Sequence, residues 1–307
     1  MLCQALTMSI PSFVIFVGSI IGTTLAPDPS LATLPVAAFI LGSALATLPV
    51  ILAMRRFNRK PVFLFCAATA GVGCLLAIYA LELQSFSAYL MAVVVLGVGL
   101  AAGQQYRFAA MESVSPEDVP RAASRVLIGG IGAAFLGPEL AVRGEQLTAT
   151  AYQGSFALLM VVAIAVFAVL FFFNEAQKDE QQSAAKSRPL LEILGQPVIL
   201  VALISGCAGF AIMSLVMTST PLHMHFENGH SLVDTKWVIQ SHIVAMDNPP
   251  HWRAGPYKSG YCRFVHNDRG DLFRVFFYQL LGVFGAARCW LELSVCRRHY
   301  ATARGLS

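Results

Sequence analysis

The sequence predicts an all-α integral membrane protein, and three observations carry that reading. Over its 307 residues only 12% are charged and 56% are hydrophobic, with a mean hydropathy of +0.65; a soluble domain carries about a quarter charged residues. So little polar surface cannot cover a globule in water, so the exterior must face lipid. The apolar residues are also gathered into runs long enough to cross a bilayer, and the connections between runs alternate in charge. In hydrocarbon only helices or closed barrels satisfy every backbone polar group, and these runs are about twice the length of a barrel strand. The formal net charge is only +4. Its basic residues sit in short clusters between apolar runs, a pattern that goes with a lipid bilayer, and no nucleic-acid partner is expected.

A spanning helix needs about 20 apolar residues, and seven segments qualify: Leu2–Leu25, Leu31–Met54, Pro61–Leu81, Phe86–Gln105, Ala122–Val142, Tyr152–Phe173 and Leu190–Met217. The first lacks a basic leader and is longer than a signal-peptide core, so it reads as a spanning helix. It opens almost at Met1, and the natural start is expected upstream. Arg55, Arg56, Arg59 and Lys60 follow the second span; Arg107, Arg121 and Arg125 follow the fourth; Lys178, Lys186 and Arg188 follow the sixth. The intervening loops offer Asp28, then Glu82, then Arg143 with Glu145. Lysine and arginine mark the cytoplasmic side, which puts the even loops and the amino terminus inside. The string ATLPV recurs at 32–36 and 46–50; its fourteen-residue offset places Pro35 and Pro49 on one helix face.

Four of the cysteines, Cys3, Cys66, Cys74 and Cys207, lie inside apolar runs, where a thiol acts as a small hydrophobe. No pair has zinc-ligand spacing. His223, Met224, His225 and His230 cluster in PLHMHFENGH, which reads as a solvated loop ahead of a metal site. His242, in WVIQSHIVAM, falls in the expected eighth helix, where a histidine can relay protons or bond a neighbour. No Ser–His or Asp–Asp pair stands out at membrane depth, so neither enzyme chemistry nor a cofactor or metal is expected.

The second basic loop reads ILAMRRFNRKPVF and resembles the G-x-L-x-D-R-x-G-R-K-x signature of the major facilitator superfamily. Arg56, Arg59 and Lys60 match its basic positions; Ile51, Arg55 and Asn58 replace its first glycine, its aspartate and its second glycine. Asn58 still suits a left-handed turn. The stretch GVGLAAGQQYRFAAMESVSPEDVPRAASRV is similar to the helix 4–5 connection of bacterial members, and its glycines allow close helix packing. GGIGAAFLGPELA resembles a glycine- and proline-rich helix 5 motif at Gly132, Gly137 and Pro138.

The resemblance covers about 1–246 and implies a six-helix amino-terminal half (1–174), a cytoplasmic hinge (175–189), and helix 7 with the start of helix 8 (190–246). It implies transport of a small solute by alternating access in an inner membrane, with protons as the expected coupling ion. Arg56, Arg59, Lys60, Glu112, Asp118 and Arg121 are candidates for the cytoplasmic gating motif. Gln104, Gln105, Tyr106, Arg107, Glu139 and His242 are candidates for the transport pathway. The competing reading is a membrane-embedded partner or sensor that does not transport.

After Met246 the character changes. Residues 247–307 hold nine arginines and lysines, from Arg253 to Arg304, and DNPPHWRAGPYKSGYCRFVHNDRGD has no apolar periodicity. The tail reads as translated out of frame: Leu291–His299 can be encoded so that the next frame gives Trp-Asn-Phe-Leu-Phe-Val-Gly-Ala-Thr. A chain so interrupted is expected not to transport alone. Resequencing the gene is expected to show an intact eighth helix in a neighbouring frame beyond Met246; its absence would establish a genuine tail.

Overall fold

The computed structural model describes residues 1–115, 117–173 and 195–247. The hinge, and all of the atypical tail except Asp247, lie outside the described residues. The elements are α1 (Leu2–Leu25), a 3₁₀ turn (Pro29–Leu31), α2 (Leu34–Phe57), α3 (Arg59–Glu82), α4 (Phe86–Gly103), a short α5 (Tyr106–Glu112), α6 (Val119–Glu145), α7 (Gln153–Phe171), α8 (Pro197–Leu222), a π turn (His223–Glu227) and α9 (Leu232–Asp247). No strand occurs among the described residues. Among the described residues six helical stretches are long and apolar enough to cross a bilayer. The described residues fall into two units, one of 1–173 with 217–247 and one holding 195–216. In the second unit the described turns of α8 expose Leu203, Ile204 and Phe210.

Local chemistry sets the breaks. Asp28 accepts a hydrogen bond from the Ser30 backbone N–H at 2.8 Å, which nucleates the 3₁₀ turn and holds its carboxyl below the usual range. Pro35 lies in the first turn of α2, where a missing N–H costs no intrahelical bond. Ser85 caps α4 by accepting from the Ala88 N–H. Between α2 and α3 the chain turns through Asn58 at φ 66° and ψ 175°, a positive φ with an extended ψ, outside the left-handed helical well expected for a left-handed turn.

In the larger unit α1 is the central helix, with Phe13, Val14, Phe16 and Val17 wholly buried. It packs on α6 and more lightly on α2, α4 and α7, while α2 lies on α4, and α3 on α4 and α7. Phe156 of α7 stacks edge-on against Phe13 at 5.0 Å. Small residues bring backbones together: a Cβ on Gly97 would overlap the Phe39 carbonyl, and one on Gly137 would lie 2.6 Å from the Ser9 carbonyl. Lipid supplies no hydrophobic drive between helices, so such close contact is the main source of association. Away from these seams Leu45, Leu48 and Leu52 of α2 and Phe65 of α3 are exposed, as lipid-facing positions are.

Three boundaries differ from the sequence reading. The fourth span stops at Gly103, and Gln104 and Gln105 form a break before α5. The seventh helix runs Pro197–Leu222, displaced toward the carboxyl end from Leu190–Met217, and the histidine cluster continues it as a π turn instead of a loop. The fifth span is α6, which runs Val119–Glu145, three residues beyond Ala122–Val142 at each end, and it carries Arg121, Arg125, Glu139 and Arg143 along one side. Pro35 is buried and Pro49 exposed, so their shared face does not meet one neighbour along its length.

These contacts separate two glycine substitutions. Gly97→Ala forces α2 from α4 and is expected to destabilise by about 1–3 kcal/mol. Gly132→Ala meets only Ala5 Cβ at 3.5 Å, and is expected to be neutral or to stabilise by up to about 1 kcal/mol through helix propensity. Thermal unfolding in detergent reads both.

Candidate functional site

Charged residues gather at the two ends of the bundle. At the basic end, where α2 turns into α3, Arg59 donates to Glu112 Oε1 at 2.6 Å. Its side chain is 18% exposed against 58% for Glu112, so the pair ties the α2–α3 turn to α5. Lys60 sits 5.8 Å from the centroid of the Phe171 ring, and Arg56 lies over its neighbour Phe57. Asp118 and Arg121 pair with each other at 3.2 Å, both well exposed, so Asp118 answers the basic cluster locally and not across the face.

The pathway candidates separate in space. Tyr106 is buried inside the amino-terminal bundle, edge-on to Phe63 at 4.9 Å and within 3.5 Å of the Thr7 hydroxyl. Gln104 and Arg107 beside it are exposed and Gln105 is half-buried. Glu139 stands in the carboxyl-terminal part of α6, whereas Tyr106 opens α5. His242 is half-buried on α9. Of the helix 5 motif, Gly137 and Pro138 are buried and Gly132 is exposed.

Glu139 is the centre of a charged cluster that links α6 to α9. Arg143, one turn on, donates to its Oε1 at 2.7 Å. Lys236 Nζ, from α9, donates to its Oε2 at 2.7 Å. Four residues farther along α9, Gln240 Nε2 donates to the Phe135 carbonyl, four residues back on α6, at 3.1 Å. The two contacts fix an antiparallel register between α6 and α9. Near the same end of the bundle Ser19 of α1 donates to the Thr218 carbonyl of α8 at 3.4 Å.

The α9 side of this seam has a helical period. Leu232, Thr235, Lys236, Ile239 and Gln240 are all at most 8% exposed, at spacings that form one stripe. Lysine in such a stripe is costly unless an anion meets it, and Glu139 does. Sequence reasoning singled out Glu139 and His242 but missed Lys236 and Gln240. The signal was present: a lysine at the buried phase of an apolar helix calls for a carboxylate elsewhere in the membrane. Among the described residues no cluster of His, Cys, Asp or Glu could hold a metal ion.

Comparison with known proteins gives this geometry its context. The family model described as Major Facilitator Superfamily matches residues 1–244. The riboflavin transporter RfnT of Brucella anthropi is 34% identical over 251 residues, 81% of this chain and 63% of the relative. The uncharacterized MFS-type transporter YddS of Bacillus subtilis is 26% identical over 254 residues, 76% of this chain and 57% of the relative. The chain thus spans less than two thirds of the length of these relatives. Among solved structures, a D-xylose–proton symporter superposes with a TM-score of 0.61 at 14% identity, over 79% of this chain and 64% of that one, a likeness of fold. Helices fit to cross a bilayer, the α2–α3 basic turn and a family match over four fifths of the sequence agree: this chain is a multi-pass membrane protein and belongs to the major facilitator superfamily.

Proposed function

We propose that the protein built on this chain is a secondary transporter that carries a small solute by alternating access, coupled to protons. The observation that carries the proposal is the α6–α9 seam. A helix of the first half and a helix of the second are joined by an ion pair and a side-chain-to-backbone hydrogen bond near one end. Two halves that close around a midplane site at one face and part at the other are the working parts of such transporters. The charge of the connections supports placing the basic end in the cytoplasm of the cell and the seam at the outer face of its inner membrane. The Arg59–Glu112 pair and the cation over Phe171 then act on the cytoplasmic side, where they stiffen the α2–α3 turn. Glu139 and His242 are the titratable pathway candidates of the two halves, while Gln104, Gln105 and Arg107 flank the cytoplasmic end.

Riboflavin, named for the relative that is 34% identical, is the first solute to test. Cells unable to make or import riboflavin, expressing the full gene, are expected to show saturable uptake of labelled riboflavin that a protonophore abolishes. Uptake insensitive to the protonophore would remove the proton coupling. No uptake of riboflavin or of a panel of small solutes, together with a co-purifying membrane protein, would replace transport with the partner or sensor reading.

A further inference from the structure

We propose that Glu139, Lys236 and Arg143 form an electrostatic latch whose breaking opens the seam at the end opposite the basic turn, with Arg143 holding the carboxylate ready for the lysine to return. The inference rests on the alternating-access reading above and adds the device that holds one of its two states.

The geometry is asymmetric in a way that suits a latch. Glu139 has one cation on each oxygen, both at 2.7 Å, but the cations differ. Arg143 is on the same helix, four residues on, and its side chain is 74% exposed. It travels with Glu139 whatever α9 does, in the favourable order of acid before base along the helix. Lys236 comes from α9 and its side chain is 10% exposed, with the Trp237 ring 5.1 Å from the ammonium. When the seam parts, Glu139 keeps a partner and Lys236 passes into water. When it closes, an ammonium without Glu139 would be buried unpaired, which is expensive. The carboxylate therefore decides whether the closed state is tolerable.

Nothing else nearby competes for the role. The two other long helices packed on α6, α1 and α7, carry no Asp, Glu, Lys, Arg or His at all. The short α5, also against α6, holds Arg107 and Glu112 at the basic end. At the latch end Glu145, the π-turn residues His223, His225 and Glu227, then His230 and Asp234 are also titratable; His223 pairs with Glu227, and Asp234 accepts from the Ser231 hydroxyl. Beneath the latch the amide oxygen of Gln240 is buried with no partner among the described residues, while its nitrogen donates to the Phe135 carbonyl.

Thr235, beside Lys236 and fully buried in the closed seam, is the site at which to read opening. The full chain bearing Thr235→Cys, in lipid nanodiscs, is treated with a membrane-impermeant maleimide, and labelling of that residue is followed by mass spectrometry. Adding Glu139→Gln is expected to speed labelling about tenfold, the loss of one charge-assisted contact. Adding Lys236→Met to that variant is expected to return labelling to the parent's rate, because no ammonium is left unpaired. Lys236→Glu, which opposes two carboxylates, is expected to open the seam by a second route should Glu139→Gln not fold. Cys66 and Cys74, both wholly buried in the bundle, must stay unlabelled in a folded variant. Parent-rate labelling in Glu139→Gln, or rapid labelling that Lys236→Met fails to reverse, would overturn the latch. No solute enters this experiment: a failed uptake assay would remove the transport reading and leave these rates standing, whereas proton-coupled uptake with an indifferent Thr235→Cys would remove the latch alone.

Discussion

The contact on which the rest depends is backbone against backbone. In lipid an apolar side chain gains little by leaving one apolar neighbour for another, so helices associate where they fit closely. Here they fit at glycines: Gly97 of α4 lies on the Phe39 carbonyl of α2, and Gly137 of α6 lies on Ser9 and Phe13 of α1. The second of these positions the α6–α9 seam. Because Gly137 is pressed against α1, the side of α6 bearing Phe135 and Glu139 turns outward to meet α9.

That arrangement explains why the most polar long helix of the bundle is also one of its most contacted. Along α6 the residues Arg125, Ile128, Gly132 and Phe135 are exposed, while Glu139 on the same stripe is half-covered by Lys236. A carboxylate and an ammonium at membrane depth would each be destabilising alone. Meeting, they turn a cost into a register, since only one alignment of α6 with α9 brings Lys236 to Glu139 and Gln240 to the Phe135 carbonyl together. At the other end Arg59 at the start of α3 and Glu112 of α5 pair. The two ends thus differ: at one an ion pair joins the α2–α3 turn to α5, and at the other an ion pair joins α6 to α9.

Much of this was legible in the sequence, for physical reasons. Long apolar runs announce spanning helices because hydrocarbon leaves the backbone few options, and the fold class follows. Asn58 could be read as a turn residue because few side chains accept its positive φ. The ends of α4 and α8 were misjudged because hydropathy does not mark where hydrogen bonding stops. Tyr106 looked like a residue at the end of a span, yet one turn of α5 carries its ring into the core beside Phe63. Glu139 was recognisable alone, as any carboxylate in a span is. Its partner was not, because 97 residues separate the two and no local pattern spans that distance; only the buried phase of Lys236 on α9 hinted at a matching anion.

The central claim is that α6 and α9 lie antiparallel in one register, with Glu139 against Lys236. Cysteines at 139 and 236, challenged in native membranes with a short bis-maleimide, test it most directly, with 125 and 236 as the register control. The account predicts rapid intramolecular cross-linking of the first pair and none of the second. Equal cross-linking of both, or cross-linking of the second alone, would contradict it.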